Sequence, residues 1–483
     1  MGLMMSKYHE REVFNAGKLG TYRVHSLFTR ITSEGDLNPE IGDPLPGAVA
    51  LHAHEYTHYL HNLSTVAGLD ALLACFFLIT PFVQGTNDCG WFTAPESLEH
   101  NDQLMLPFSM MNIARGSVTG IPKDKHFQWP VITEWNFGAV RNEFVTLTST
   151  TEENIENIQV KSISITAKHN GGEPLELVLR PGLDFLSEGI AYEIEREQRR
   201  APGISEKMLD SQTPSYPYLA YRPLVEHLIG YETTIHERIL IGTLALLTHN
   251  PAQTFFDLCT AIKRDKDRGD DTKVEQEKFV NHIHQNFVTF VSNPQNSYTN
   301  KLKWILSGSG DHLEGLDIYC MIIDKGLRLR TQAFMMEQMM VEKKLNADEF
   351  LNLTLNILER LVCQEKIDGD SVIEWIAPIN SVIATLPEEV IQKLSVLQTS
   401  IHYLQQHFTV DGRLGSTAQL KESACPFVGA CQTQKQYGYP ADCGSKPWNV
   451  SVDGGKKVCW YEAGRLSLRM AKNDQATLYT PTD

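Results

Sequence analysis

The chain has 483 residues, of which 42% are apolar and 21% charged, and its formal net charge is −16. This composition is typical of a globular chain of about two to four domains and excludes the intrinsically disordered class. The acidic balance disfavours stable binding to nucleic acids or to anionic membranes, because both need a basic surface.

Two features of the sequence bear on location. The first eleven residues lack the apolar core of a signal peptide. The longest apolar stretch, residues 71–83, is too short to span a bilayer and contains Pro81. We therefore expect a cytoplasmic protein in which residues 71–83 form a buried helix.

Apolar and polar residues alternate along residues 21–31 well enough to predict a strand. Residues 51–67 are predicted to form the helix that follows it. This helix contains the pentapeptide His54-Glu55-Tyr56-Thr57-His58, and its polar face carries His54, Glu55, His58, His61 and Asn62. The apolar stripe consists of Ala53, Tyr56, Leu60, Leu63 and Ala67.

The pentapeptide has the H-E-x-x-H pattern of a catalytic zinc site. Residues one helical turn apart lie on the same face, so His54 and His58 can bind one ion, and Glu55 can take a proton from metal-bound water. The alternative is a cluster of ordinary surface or core histidines. We expect His61 to support the site or face a substrate rather than to bind the metal.

Three strands are predicted further along the chain, at residues 144–148, 158–166 and 175–179. The last two are joined by His169-Asn170-Gly171-Gly172, a hairpin turn signal. An edge strand of such a sheet could align an extended peptide by backbone hydrogen bonds.

A third metal ligand must come from elsewhere in the chain. The metzincin pattern would place a His at position 64, where the chain has Ser64, and Asp70 is one possible aspartate ligand. Glu188 is a better candidate, because residues 183–199 predict a helix on which apolar bulk surrounds this carboxylate. The alternative role for Glu188 is an ion pair with an Arg or Lys.

His54-Glu55-x-x-His58, followed far downstream by a helix with Glu188-Gly189-x-Ala191, resembles the gluzincin metallopeptidases. The resemblance implies that His54, His58 and Glu188 bind zinc, that Glu55 is the general base, and that a protein or peptide is the substrate. Peptide hydrolysis also needs a donor to the developing oxyanion. Tyr192, His227 and His236 are the candidates, and Tyr192 is the one that we place in the catalytic set.

Beyond residue 223 the pattern is almost entirely helical to about residue 408. The clearest helices are predicted at residues 274–291, 316–340, 347–363 and 388–407. Four cysteines in apolar, helical surroundings are predicted to be buried small hydrophobes, and Cys89 lies in a glycine-rich loop. The four are Cys75, Cys259, Cys320 and Cys363.

The last 59 residues contain Cys425, Cys431, Cys443 and Cys459 in a segment rich in Gly, Pro and aromatic residues. Such a segment needs a crosslink, and in a reducing compartment a structural zinc ion is favoured over disulfides. Free thiols, disulfides and an iron–sulfur cluster are the alternatives.

The sequence thus predicts an α+β chain with a zincin-like region at residues 1–245, a helical region at 246–420 and a Cys-rich tail at 421–483. The predicted function is zinc-dependent hydrolysis of a peptide bond. Two alternatives are a metal-dependent hydrolase of another amide and a non-enzymatic interaction protein whose metal site is vestigial or structural.

Overall fold

Helices dominate the computed structural model, and its described residues also form two four-stranded sheets, which confirms the predicted α+β class. The structure describes residues 20–22, 28–32, 46–95, 102–122, 127–148, 155–200, 204–211, 213–268, 272–307, 310–358, 361–366, 372–376, 386–409, 412–427, 441–450 and 459–469.

The two sheets differ in topology. The first has the strand order β1-β2-β7-β8, in which β2 and β7 run parallel and the other neighbours run antiparallel. The second has the order β3-β6-β5-β4 and is antiparallel throughout. The strands are β1 Gly20–Tyr22, β2 Phe28–Thr32, β3 Ser117–Thr119, β4 Ile132–Thr148, β5 Ile155–His169, β6 Leu175–Arg180, β7 Leu361–Lys366 and β8 Val372–Ile376.

Short 3-10 turns lie at Pro294–Asn296, Met336–Met340, Thr417–Gln419, Ala441–Gly444 and Pro447–Asn449. The helices are α1 Pro46–Ser64, α2 Val66–Phe77, α3 Ile79–Gln84, α4 Asp102–Arg115, α5 Leu183–Arg199, α6 Glu206–Asp210, α7 Tyr218–Ile229, α8 Ile235–Leu246, α9 Pro251–Asp267, α10 Thr272–Ser292, α11 Tyr298–Ile305, α12 Gly310–Gln332, α13 Ala347–Ile357, α14 Glu388–Gln406 and α15 Trp460–Ser467.

Helix α1 carries the pentapeptide, but its bounds differ from the predicted 51–67. It ends because Thr65 has an extended backbone and its side chain caps α2 by accepting a hydrogen bond from Gly68 N–H at 3.1 Å. A Cβ atom at Gly68 would lie 2.3 Å from the carbonyl oxygen of His61, so only glycine allows the two helices to pack this closely. Ala67 therefore belongs to α2.

Helix α5 occupies the predicted residues 183–199 and packs against α1. Its close approach to α7 depends on Gly189, where a Cβ atom would lie 2.2 Å from Cγ of Tyr221. The predicted hairpin is also present, since β5 pairs antiparallel with β6. Helix α5 is thus fixed against both α1 and α7.

Two predictions about the first sheet were wrong. In place of the single strand predicted at residues 21–31, the described residues Gly20–Tyr22 and Phe28–Thr32 form two antiparallel strands, β1 and β2. The helix predicted at 347–363 ends at Ile357, and Cys363 lies on β7, which pairs with β2. Leu358 has an extended backbone at the helix end, and the Tyr56 hydroxyl donates to its carbonyl at 3.1 Å, which satisfies a group that a longer helix would have bonded. The burial of Cys75, Cys259 and Cys320 is confirmed.

One segment in the described part of the chain, Val66–Gln84, is long and apolar enough to span a membrane by length and composition. It has a mean hydropathy of 2.1, and 78% of the window is buried inside the protein. This burial is typical of core helices. The segment covers the buried helix that we predicted at 71–83, which consists of α2 and α3.

The main hydrophobic core extends from Val49 to Leu468 and includes side chains from each of the three regions that the sequence predicts. Helix α14 packs against both α12 and α15, so the tail contacts the helical region directly. The division of the chain at residues 245 and 420 stays a prediction.

Candidate metal centre

Helices α1 and α5 bring three buried ligand atoms together. His58 Nε2 lies 3.1 Å from His54 Nε2, and Glu188 Oε2 lies 3.1 Å from His58 Nε2 and 3.5 Å from His54 Nε2. Within the described residues this is the one group of three or more His, Cys, Asp or Glu side chains that could hold a metal ion. The sequence predicted these three residues as the ligand set.

The separations fit a tetrahedral ion. Bonds of about 2.1 Å at tetrahedral angles place neighbouring ligand atoms about 3.4 Å apart. The three observed separations of 3.1, 3.1 and 3.5 Å lie close to that value. Two imidazoles and one carboxylate are also the ligand set of zinc sites that keep a fourth position open. The geometry does not identify the metal, since other divalent ions accept the same donors.

The charges around the group favour a cation. Burial alone would lower the pKa of His54, but the carboxylates of Glu188 and Glu195 outweigh it and raise the pKa to about 10. Glu55 also contributes to this increase. An excess of carboxylate that holds a proton on an imidazole would equally attract a metal ion to the same atoms.

The second nitrogen of each imidazole has a partner on α5. His54 Nδ1 lies 2.9 Å from Glu195 Oε2, and Arg199 Nη1 lies 3.1 Å from the other oxygen of Glu195. His58 Nδ1 forms a hydrogen bond of 2.8 Å with Ser187 Oγ. These contacts turn both Nε2 atoms toward the group, and a carboxylate behind a ligand histidine is typical of metal sites.

His61 lies outside the ligand group, in agreement with the prediction. Its Nδ1 atom forms a hydrogen bond of 2.9 Å with Ser187 Oγ, and its Nε2 atom lies 3.0 Å from Glu337 Oε1. Burial alone would raise the pKa of Glu337, but Arg330 and His61 lower it well below its usual range. Arg330 in turn donates to Ser64 Oγ at 2.9 Å.

Glu55 is buried beside the two imidazoles. Successive residues of an α-helix are rotated by about 100°, so Glu55 lies at the flank of the face that carries His54 and His58. A carboxylate at this position can accept a proton from a water molecule near the group.

The hydroxyl of Tyr192, the predicted oxyanion donor, already forms two hydrogen bonds within the protein. Its hydroxyl donates to Asp210 Oδ1 at 2.6 Å and accepts from Thr213 Oγ1 at 3.1 Å, so donation to a substrate would break the bond to Asp210. Tyr218, at the start of α7, is a second candidate. Its ring centroid lies 5.7 Å from that of His54, and the side chain is partly exposed.

The other candidates lie outside the ligand group. Asp70, the alternative third ligand, contacts His249 Nδ1 and accepts from the Tyr298 hydroxyl, both at 2.7 Å. His227 and His236 are solvent-exposed on α7 and α8. The role of His227 or His236 as an oxyanion donor stays a prediction.

Sequence reasoning missed several residues around the group. Glu195 follows Glu188 by seven residues, which is two helical turns, so the helical period could have indicated it. Tyr218 has no signal beyond its place in a tyrosine-rich segment. Glu337 has none, because its contact with His61 joins residues that are distant in the chain.

Part of the Cys-rich tail is described. Cys425 N–H donates to the carbonyl of Cys443 at 2.8 Å, which brings these two residues together. Cys459 precedes α15, and its sulfur accepts from Glu462 N–H at 3.4 Å. Cys431 lies outside the described residues, so the four-thiol zinc site stays a prediction.

No family model, curated protein or solved structure matches this chain. Its function is therefore inferred from its own residues and their geometry.

Proposed function

We propose that the chain is a metallohydrolase of the gluzincin type that cleaves peptide bonds with one zinc ion. The observation that carries the proposal is the convergence of His54, His58 and Glu188 at separations of 3.1 to 3.5 Å beside a buried carboxylate, Glu55. A purely structural site has no need of a base next to an open position.

His54, His58 and Glu188 would hold the ion, and Glu195 and Ser187 would fix the orientation of the two imidazoles. Zinc at this position would supply Lewis-acid polarisation of the scissile carbonyl and would acidify a water molecule. Glu55 accepts the proton of the attacking water and can return it to the leaving nitrogen. A general base of this kind contributes a rate factor of about 100 to 10,000.

Tyr218 is the side chain that we assign to the developing oxyanion, because its ring contacts that of His54 and it is partly exposed. A phenol hydroxyl there would donate to the carbonyl oxygen of the substrate. Tyr218→Phe should therefore lower the rate and leave the metal bound. Zinc loss in this variant would indicate a structural role instead.

The substrate that we propose is an extended peptide. In the described part of the second sheet, β4 is an edge strand and can pair with an added strand. The start of β4 is joined to the segment before Tyr218, because Ile132 N–H donates to Ser215 Oγ at 2.9 Å. Trp129 also stacks on Tyr216 with ring centroids 4.4 Å apart. A peptide paired with β4 would approach the metal group along this aromatic segment.

Glu55→Gln tests the proposal. The amide keeps the shape of the side chain and removes the base, so peptide cleavage should fall by at least about 100-fold with zinc still bound. Zinc content is measured by elemental analysis of the purified protein, and cleavage is measured on a mixed peptide library. His58→Ala is the comparison, because it should lose both zinc and activity. Unchanged cleavage in Glu55→Gln would refute the assignment of Glu55 as the general base. Cleavage of small amides but not of peptides would favour the alternative, a metal-dependent hydrolase of another amide.

A further inference from the structure

A chain of polar contacts runs from one proposed metal ligand into the helical region. His58 Nδ1 contacts Ser187 Oγ at 2.8 Å, Ser187 Oγ contacts His61 Nδ1 at 2.9 Å, and His61 Nε2 lies 3.0 Å from Glu337 Oε1. Arg330 Nη1 donates to the other oxygen of Glu337 at 3.1 Å. His61, Arg330 and Glu337 are fully buried, and His58 and Ser187 are nearly so.

The hydrogen atoms of this chain have one consistent direction when His58 binds a metal. Coordination through Nε2 leaves the hydrogen of His58 on Nδ1, which donates to Ser187 Oγ. Ser187 has one hydroxyl hydrogen, and the acceptor within reach is His61 Nδ1. His61 then carries its own hydrogen on Nε2, which faces the Glu337 carboxylate. Each donor therefore faces an acceptor.

We propose that Ser187, His61 and Glu337 are positioning residues that hold His58 in its metal-binding tautomer and strengthen it as a ligand. The inference rests on the proposed metal site and extends it to a segment that provides no ligand. A ligand histidine whose far nitrogen donates toward an anion is a more basic ligand. Here the anion is the carboxylate of Glu337, and it is reached through two intervening side chains.

The segment that carries Glu337 is firmly tied to the metal helix. Arg330, near the end of α12, donates to Ser64 Oγ at 2.9 Å and to the carbonyl of Phe334 at 2.8 Å. Glu337 lies in the 3-10 turn that follows α12. The helical region thus supplies the anionic end of the chain, and metal affinity should depend on residues that lie far from the ligands in the sequence.

The test measures zinc affinity of the full-length protein by competition with a chromophoric chelator. Ser187→Ala removes the hydroxyl at the first contact and should weaken zinc binding by about 10-fold to 100-fold. Glu337→Gln acts two contacts farther out and should weaken it less, by about 3-fold to 10-fold. Ser187→Thr keeps a hydroxyl and should restore most of the affinity.

Glu193→Gln is the matched control. Glu193 is buried on α5 and paired with Arg196 and Arg238, so its loss affects folding as the loss of Glu337 does. Its zinc affinity should stay within about 2-fold of the unmodified protein, since it lies outside the contact chain. A fall as large as that of Glu337→Gln would assign the effect to general destabilisation and overturn the inference.

A double variant makes the test sharper. Once Ser187→Ala has cut the chain, adding Glu337→Gln should cause no further loss of zinc affinity. Additive losses, or an unchanged affinity in Ser187→Ala, would overturn the inference and leave the proposed metal site intact. Absence of zinc binding in the unmodified protein would instead refute the proposed function, and the positioning role with it.

Discussion

Replacing Tyr56 by Phe removes one oxygen atom from the middle of the pentapeptide that carries His54 and His58. The Tyr56 hydroxyl accepts from Leu358 N–H and donates to the Leu358 carbonyl, both at 3.1 Å, and both residues are fully buried. The Leu358 N–H keeps its bond of 3.0 Å to the Thr354 carbonyl in the variant, but the buried Leu358 carbonyl loses its bond to Tyr56, at a cost of about 1–3 kcal/mol. We therefore expect the free energy of unfolding to fall by about 1–3 kcal/mol.

Urea denaturation followed by circular dichroism measures this change. Tyr231→Phe is the matched control, because its hydroxyl donates to Glu237 at a partly exposed position and its loss should cost less than about 1.5 kcal/mol. Zinc content of folded Tyr56→Phe should match that of the unmodified protein, since the hydroxyl bonds to Leu358. A loss of stability no larger than that of Tyr231→Phe would refute the reasoning.

Three further predictions concern the ligand, the response to acid and the tail. Glu188→Ala should lose zinc, measured by elemental analysis, because two imidazoles alone then remain; retained zinc would contradict the assignment. Burial lowers the pKa of His407 to about 3, so the unfolded chain binds a proton near pH 6.5 and the folded chain does not. Stability should fall as the pH drops from about 6.5 toward 3, by on the order of 3 kcal/mol at pH 4.5, and thermal melts of His407→Gln should show a weaker dependence on pH. Cys443→Ser should reduce zinc from about two ions per chain to one if the tail binds a structural zinc ion, and one ion in the reduced, unmodified protein would exclude that site.

The sequence was informative wherever a local pattern decided the structure. The amphipathic period of residues 183–199 predicted helix α5, and the i, i+4 spacing of His54 and His58 predicted that both imidazoles share a face. Glu188 was predictable because apolar neighbours on both sides of a carboxylate imply a buried charge that needs a cation. Each of these three inferences depends only on residues within a single helix, α1 or α5.

Non-local contacts account for what the sequence could not predict. Residues 361–366 have three apolar residues followed by three polar ones, too short a pattern to distinguish helix from strand, and parallel pairing of Leu361 with Phe28 decides the outcome. Helix α1 ends before the predicted residue 67 because Thr65 forms a cap instead of continuing the apolar stripe. Tyr192 was chosen by helical period alone, which cannot reveal that Asp210 already accepts its hydroxyl hydrogen.

Helix α1 is held both by α5 and by residues 330–358 of the predicted helical region. On one side, Ser187 and Glu195 of α5 fix the two imidazoles.

On the other side, residues 330–358 contact Tyr56, His61 and Ser64, positions that span more than two turns of α1. A metal site needs its ligands held to within about 0.5 Å, which requires that the helix be fixed both along and around its axis. Besides α5, helix α1 packs against α2, β1 and β2, and against both α12 and α13. The segment from α12 to α13 thus helps to hold the helix that carries His54 and His58.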